Sequence, residues 1–191
     1  MILPIVPYGH AILRKVATDI NTDYEGLTAL IASMWETMYA SNGVGLAAPQ
    51  INKSIRLFVV DSKQIIDSLE DEDKDEYPGD EGIKQVFINP TIVKLEGDLW
   101  AYNEGCLSIP KVREDVKRNE TVTISYQDEN FTKHTASFSG ITARVILHEY
   151  DHIEGKLFID HLSPVKRKLI KGKLSDIEKG KVRVDYKMLF S

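Results

Sequence analysis

His148-Glu149-Tyr150-Asp151-His152 puts two imidazoles and a carboxylate within five residues. On a helix, positions i and i+4 lie on one face about 6 Å apart, so His148 and His152 can share one metal ion with Glu149 beside it. The chemistry of that pattern is hydrolytic: the ion acidifies a water and the carboxylate takes its proton. Chance yields H-E-x-x-H in about half a per cent of chains of this length. A catalytic site of this kind has three protein ligands and an open position. His161 is not at the spacing of the longer H-E-x-x-H-x-x-G-x-x-H pattern. Cys106, the single cysteine, in the run EGCLSIP, is the better third ligand. A lone cysteine is often a small buried hydrophobe, and one paired with His148 as base could be a nucleophile, but that use leaves His152 and Glu149 without a task.

The pattern needs a helix beneath it. Ser139 can cap one over 140–154, with Ile141, Val145, His148 and His152 on a single face and Gly155 as its stop. A first amphipathic helix is expected over 25–42, carried by Leu27, Leu30, Ile31, Met34, Trp35 and Met38. Thr22 or Asp23 would cap it, and Gly43 would take the left-handed position at its exit. Apolar runs at 55–60, 86–88 and 92–95 read as strands, and 121–126 with 132–138 as a hairpin burying Val122, Ile124 and Tyr126. Pro164 opens a lysine-rich helix containing Leu169 and Leu174, and 182–189 reads as extended. Without alternating strand-helix units, this order predicts an α+β domain: antiparallel or mixed sheets packed around a central metal-binding helix.

Composition bounds the rest. The chain has 191 residues, 42% hydrophobic and 28% charged, as one ordinary globular domain requires. No run approaches the ~20 apolar residues of a membrane span, and the opening residues do not form a secretory signal, so a cytoplasmic protein without membrane contact is expected. One cysteine cannot form an internal disulfide. A net charge of −5 argues against a broad nucleic-acid surface, and no DNA partner is expected. The acidic stretch over 62–85 reads as a solvated insertion. It is no calcium loop: counted from Asp71, position six is Glu76 instead of Gly and position twelve is Gly82 instead of Glu. The basic tail over 164–191 includes the lysine cluster at 166–173, read as a solvated face before any ribosomal contact.

The third informative run is GVGLAAPQ at 43–50, in which Gly43 and Gly45 permit close backbone approach and Pro49 stiffens the chain before Gln50. Taken together and in order, GVGLAAPQ, EGCLS and HEYDH resemble the three signature motifs of peptide deformylases, and the opening residues through Ala17 are also similar to that family's. The resemblance spans roughly 1–164. It implies a hydrolase that removes the formyl group from N-formyl-methionyl nascent peptides and releases formate. It further implies one divalent metal on Cys106, His148 and His152, usually Fe(II) in the cell, with Zn, Ni or Co in purified protein. Glu149 would move the proton, while the Gln50 amide and the Leu107 N–H would meet the charge on the formyl oxygen.

By the same resemblance Glu104 pairs with Arg118 and fixes the cysteine loop, and Asp151 stays off the metal and orients a ligand. The backbones of Gly43, Val44 and Gly45 and of Glu104 and Gly105 would pair with substrate as an added strand. Arg113 borders the groove for later residues, and Val44, Ile141 and Val145 form an apolar methionine pocket. Two rivals remain open on the residues alone. An endopeptidase with another third ligand would tolerate loss of Cys106, and a structural metal site closed by Asp151 would tolerate Glu149→Gln.

Overall fold

Leu57 to Val60 is apolar at every position, which suits a strand covered on both faces. It forms β2 (Leu57–Asp61), the second of five strands in one sheet of sequential order. The others are β1 (Gly45–Ala47), β3 (Lys84–Cys106), β4 (Ile109–Gln127) and β5 (Lys133–Ser139), and each pairs antiparallel with its neighbour. The computed structural model describes residues 1–190, which fold as one α+β domain.

Alternation along β2 sends Phe58 and Val60 to one face and Leu57 and Val59 to the other. The first face meets α4 (Gly140–Ile153) through Phe87, Val122, Ile124, Ile141 and Ile146. The second packs against α1 (Leu27–Ala40), which contributes Ile31, Met34 and Met38. Each such fully buried side chain stabilises the fold by about 1.5–3 kcal/mol. A third cluster joins α5 (Pro164–Glu178), through Ile170, Leu174 and Ile177, to Val6, Leu13 and Phe158. Among the described residues no helix is long and apolar enough to cross a membrane.

The hairpin of β4 and β5 buries Val122, Ile124 and Tyr126 as its alternation predicts. Several boundaries differ from expectation for physical reasons. Neither Thr22 nor Asp23 caps α1; Gly26, at φ 73°, stands there instead. At the exit of α1 the left-handed residue is Asn42, at φ 55°, and not Gly43. The expected strands at 86–88 and 92–95 belong to the single β3, bulged after Ile88, where Asn89 exchanges side-chain hydrogen bonds with the Ile20 backbone. Beyond Leu95 the strand leaves the core, with Leu99 exposed and Trp100 and Tyr102 half-buried, because 99–106 pairs with β4 in a two-stranded arm. In α5, Leu169 is exposed and Ile170 takes the inward place. The segment after α5 is extended but forms only an isolated parallel bridge, Met188 to Ile5. Ser191, the last residue of the expected tail, lies outside the described residues.

The acidic stretch is more than a solvated insertion. It contains two short helices, α2 (Lys63–Ile66) and α3 (Asp71–Lys74), and Ile66 is buried. Ser139 makes no side-chain cap to α4; Asp80 supplies it, accepting from Thr142 N–H at 2.8 Å and from the Thr142 hydroxyl at 2.5 Å. A carboxylate at a helix N-terminus also meets the positive end of the helix dipole. Asp80→Ala is therefore expected to destabilise the protein by about 1 kcal/mol, lowering the thermal midpoint by about 2–4 °C in a melting experiment.

Candidate metal centre and active site

One face of α4 carries Arg144, Val145, His148, Glu149 and His152 toward the ends of β1 and β3. The last residue of β3 is Cys106, and the ligand atoms of Cys106, His148 and His152 all lie within 4.8 Å of one another. Cys106 Sγ stands 3.3 Å from His152 Nε2. His148 turns Nδ1 to Glu104 Oε2 at 2.9 Å, which leaves Nε2 for the cluster. Burial alone would raise the Cys106 thiol, but His152 and His148 outweigh it and bring the pKa down to about 5. A thiolate facing two imidazoles is the donor set a tetrahedral Zn or Fe(II) site uses. The buried His152 Nδ1 has no partner among the described residues.

Glu149 follows His148 on the helix and is 4% exposed. Its carboxylate packs against Gly45 so closely that a Cβ there would fall 2.5 Å from Oε1. Burial pushes the Glu149 carboxyl up to about 7, against the pull of His148 and His152. A carboxyl in that range can accept and return a proton near neutral pH. Gln50 is fixed through Oε1, which accepts from Ala47 N–H at 2.8 Å; its Nε2 is then turned toward Cys106 Sγ at 3.5 Å and Ser108 Oγ at 3.4 Å. Leu107 occupies the turn after Cys106, its side chain lying over Gly43, where a Cβ would come within 2.9 Å of Leu107 Cδ1.

These groups open on a cleft of about 770 Å³, large enough for a short peptide. Gly43, Val44, Gly45, Gly105, Arg113 and Val145 line it. Arg113 is held across the strand pair by Asn103, with Nε 2.8 Å from the side-chain oxygen. One expected substrate contact needs correction. Ile141 is two turns back along α4, 1% exposed in the core, and does not reach the cleft. Ile65 of α2 lies on the wall with Val44 and Val145. Glu104 borders the cleft, yet its carboxylate is turned away from it. It accepts from Arg118 Nε at 2.7 Å and Arg144 Nη1 at 2.9 Å besides meeting His148. Burial would raise this carboxyl, but His148 and Arg118 hold it well below the usual carboxylate range. Only the backbone of Glu104 remains for a substrate.

Asp151 lies one layer further out, bonded to Arg118 Nη1 at 2.7 Å and His161 Nε2 at 2.7 Å, and is not among the clustered ligands. Arg144 and the tail residues Arg183 to Tyr186 also line the cleft, outside the three motifs. Arg144 had a usable signal: a cation four residues before His148, on the face that also holds Val145, must be paired inside the fold.

Of the chemistries open to this cluster, hydrolysis assisted by a metal uses all four groups, whereas a cysteine nucleophile would use two. That is the class the site defines. A family model described as polypeptide deformylase matches residues 2–168. The chain is 54% identical to a peptide deformylase of Christiangramia forsetii over 100% of this chain and 96% of that one. A peptide deformylase of Flavobacterium johnsoniae is also 54% identical, over 100% and 97%. Among solved structures, a peptide deformylase from Legionella pneumophila superposes with a TM-score of 0.78 at 37% identity, over 96% of this chain and 99% of that one. Peptide deformylase 1B of Arabidopsis thaliana, in complex with an inhibitor, gives 0.79 at 34% identity, over 94% and 92%. The chain belongs to the peptide deformylase family, metallohydrolases that remove the formyl group from the N-terminus of peptides.

Gly45→Ala would drive a methyl group into the Glu149 carboxylate. Formate release should fall by about a hundredfold, because misplacing a reacting group by an ångström costs about that much. Metal content, measured on the same sample, should be unchanged. Removing the carboxylate beneath His148 acts differently. Glu104→Ala should weaken metal binding by about 10- to 100-fold in a chelator competition. It should also destabilise the fold by about 3–5 kcal/mol, since two guanidinium groups lose their partner.

Proposed function

We propose that the chain deformylates N-formyl-methionyl nascent polypeptides with Cys106, His148 and His152 as metal ligands, Glu149 as proton carrier, and Gln50 and Leu107 as donors to the formyl oxygen. The observation that carries this division of roles is the Glu149 carboxylate pressed against Gly45, one residue along the helix from a ligand imidazole. The ion supplies acidification of water and polarisation of the formyl group. The chain's own groups account for the remainder. Glu149 takes the proton from the attacking water and delivers it to the departing amide nitrogen, so that formate and a free amine result. The Gln50 amide N–H and the Leu107 N–H donate to the oxygen as it gains charge.

The peptide runs along the cleft between Gly43, Val44 and Gly45 on one side and Glu104 and Gly105 on the other, pairing with both backbones as an added strand. Val44, Val145 and Ile65 offer apolar surface for the methionine side chain. Rejection of an acetyl group then depends on one extra methyl beside Gly45 and Glu149, a packing discrimination of about 1–3 kcal/mol. The thiolate among the ligands suits Fe(II) as the working metal, with Zn, Ni or Co as alternatives in isolated protein. Release of product to the cytoplasm follows from action on nascent chains. The exposed lysines of α5 are read as a solvated face, and ribosome contact is the second use they would support.

The deciding experiment is anaerobic purification with metal analysis, then formate release from a formyl-Met peptide beside its acetylated and unblocked counterparts. Formate should come from the formylated peptide alone. Glu149→Gln should keep the metal and lose turnover by at least about 10²-fold. Cys106→Ala should lose both metal and turnover. Retention of full turnover by either variant would contradict the assigned roles.

A further inference from the structure

The match to the family model ends at residue 168, while relatives at 54% identity align along the whole chain. The last residues therefore belong to this kind of deformylase without belonging to the family's shared core. After α5 the chain turns at Gly180, φ 69°, and runs extended past the cleft with Val182, Val184, Tyr186 and Met188 half-buried and the residues between them exposed. Two backbone hydrogen bonds stitch it to the amino terminus, Ile5 N–H to Lys187 C=O at 2.9 Å and Leu189 N–H to Ile5 C=O at 2.8 Å. The amino-terminal segment in turn donates Val6 N–H to Gln50 C=O and Tyr8 N–H to Ser108 C=O, each at 2.8 Å.

One side chain of this strap reaches the site itself. The Tyr186 hydroxyl donates to Leu107 C=O at 2.7 Å, and its ring packs on the apolar cluster that also receives the Leu107 side chain. Leu107 lies in the turn between Cys106 and Ile109, outside both strands, so the β3–β4 ladder does not fix the orientation of its peptide groups. A hydrogen bond to the carbonyl of Leu107 restrains that residue's rotation, and with it the direction of its N–H on the preceding peptide.

We propose that Tyr186 is a positioning residue for deformylation: its hydroxyl holds the Leu107 carbonyl and thereby aims the Leu107 N–H at the formyl oxygen. The inference rests on the donor role given to Leu107 above. A strap that served only to fasten the tail would need the two bonds to Ile5 and no contact with Leu107.

Tyr186→Phe removes the hydroxyl and keeps the ring. In metal-loaded protein prepared anaerobically, kcat per bound metal ion should fall about tenfold for a formyl-Met peptide, part of the loss seen when such a donor is removed. KM should stay within about twofold, because the donor acts on charge that develops after binding. Hydrogen exchange should quicken about tenfold at the Leu107 and Ser108 amides and stay unchanged in α4. Faster exchange with unchanged kcat would overturn the proposal at the role of Leu107. Unchanged exchange would overturn it at the Tyr186 contact. A loss confined to metal content or thermal midpoint, with kcat per metal unaltered, would make Tyr186 a structural residue only. Formate release by the unaltered protein in the same assay keeps the deformylase reading separate from all three.

Discussion

A carboxylate that is only 5% exposed must be neutralised by its neighbours, and Glu104 draws them from two other elements. Arg118 comes from β4, Arg144 and His148 from α4, while Glu104 itself sits two residues before the cysteine. Asp151 adds a second carboxylate on the far side of Arg118. Two carboxylates and two guanidinium groups balance without the imidazole, and the bond from Glu104 to Nδ1 fixes which nitrogen of His148 faces the cluster. Such a network contributes little net stability, because desolvation offsets most of the attraction. Its consequence is geometric: the strand end carrying Cys106 and the helix carrying His148 cannot slide past one another without stranding a buried charge.

The same logic of burial sets the chemistry of Glu149. Gly45 lets the backbone of β1 come against the carboxylate, and the contact removes the water that would otherwise hold the carboxyl in its ordinary range. A carboxyl raised to about 7 is a better proton carrier at neutral pH than an exposed one. Close approach also leaves no room for a side chain at position 45. One missing side chain thus sets the surroundings of the carboxyl.

Sequence carried the helix under HEYDH, the hairpin face of Val122, Ile124 and Tyr126, and the conjunction of Cys106 with two histidines, because each depends on local period or on residue type. What stayed hidden depends on partners distant in sequence. Asp80 caps α4 across 62 residues, and nothing in an acidic stretch distinguishes that one carboxylate from its neighbours. Ile141 shares the helical stripe with His148, but periodicity assigns a face and not a depth, so the core took it and Ile65 occupies the wall instead. The strand over 99–106 escaped for a related reason: its order comes from pairing with β4, and its apolar residues Leu99, Trp100 and Tyr102 stay exposed or half-buried outside the core.

The three motifs meet as the corners of a triangle whose sides are each a short contact. Gly45 against Glu149 joins the first to the third, Glu104 on His148 joins the second to the third, and Gln50 beside Cys106 and Ser108 joins the first to the second. The last side is the weakest, since its side-chain contacts lie at 3.4–3.5 Å, and it is the side that the amino-terminal segment braces from outside through Val6 and Tyr8. The carboxy-terminal strap holds that brace by Ile5 and touches the second corner by Tyr186. Both chain ends therefore converge on the one edge of the site that neither the sheet nor the ionic network secures. On the donor roles proposed for Gln50 and Leu107 such convergence is expected, since a donor that reorients during the step spends part of its stabilisation on its own ordering.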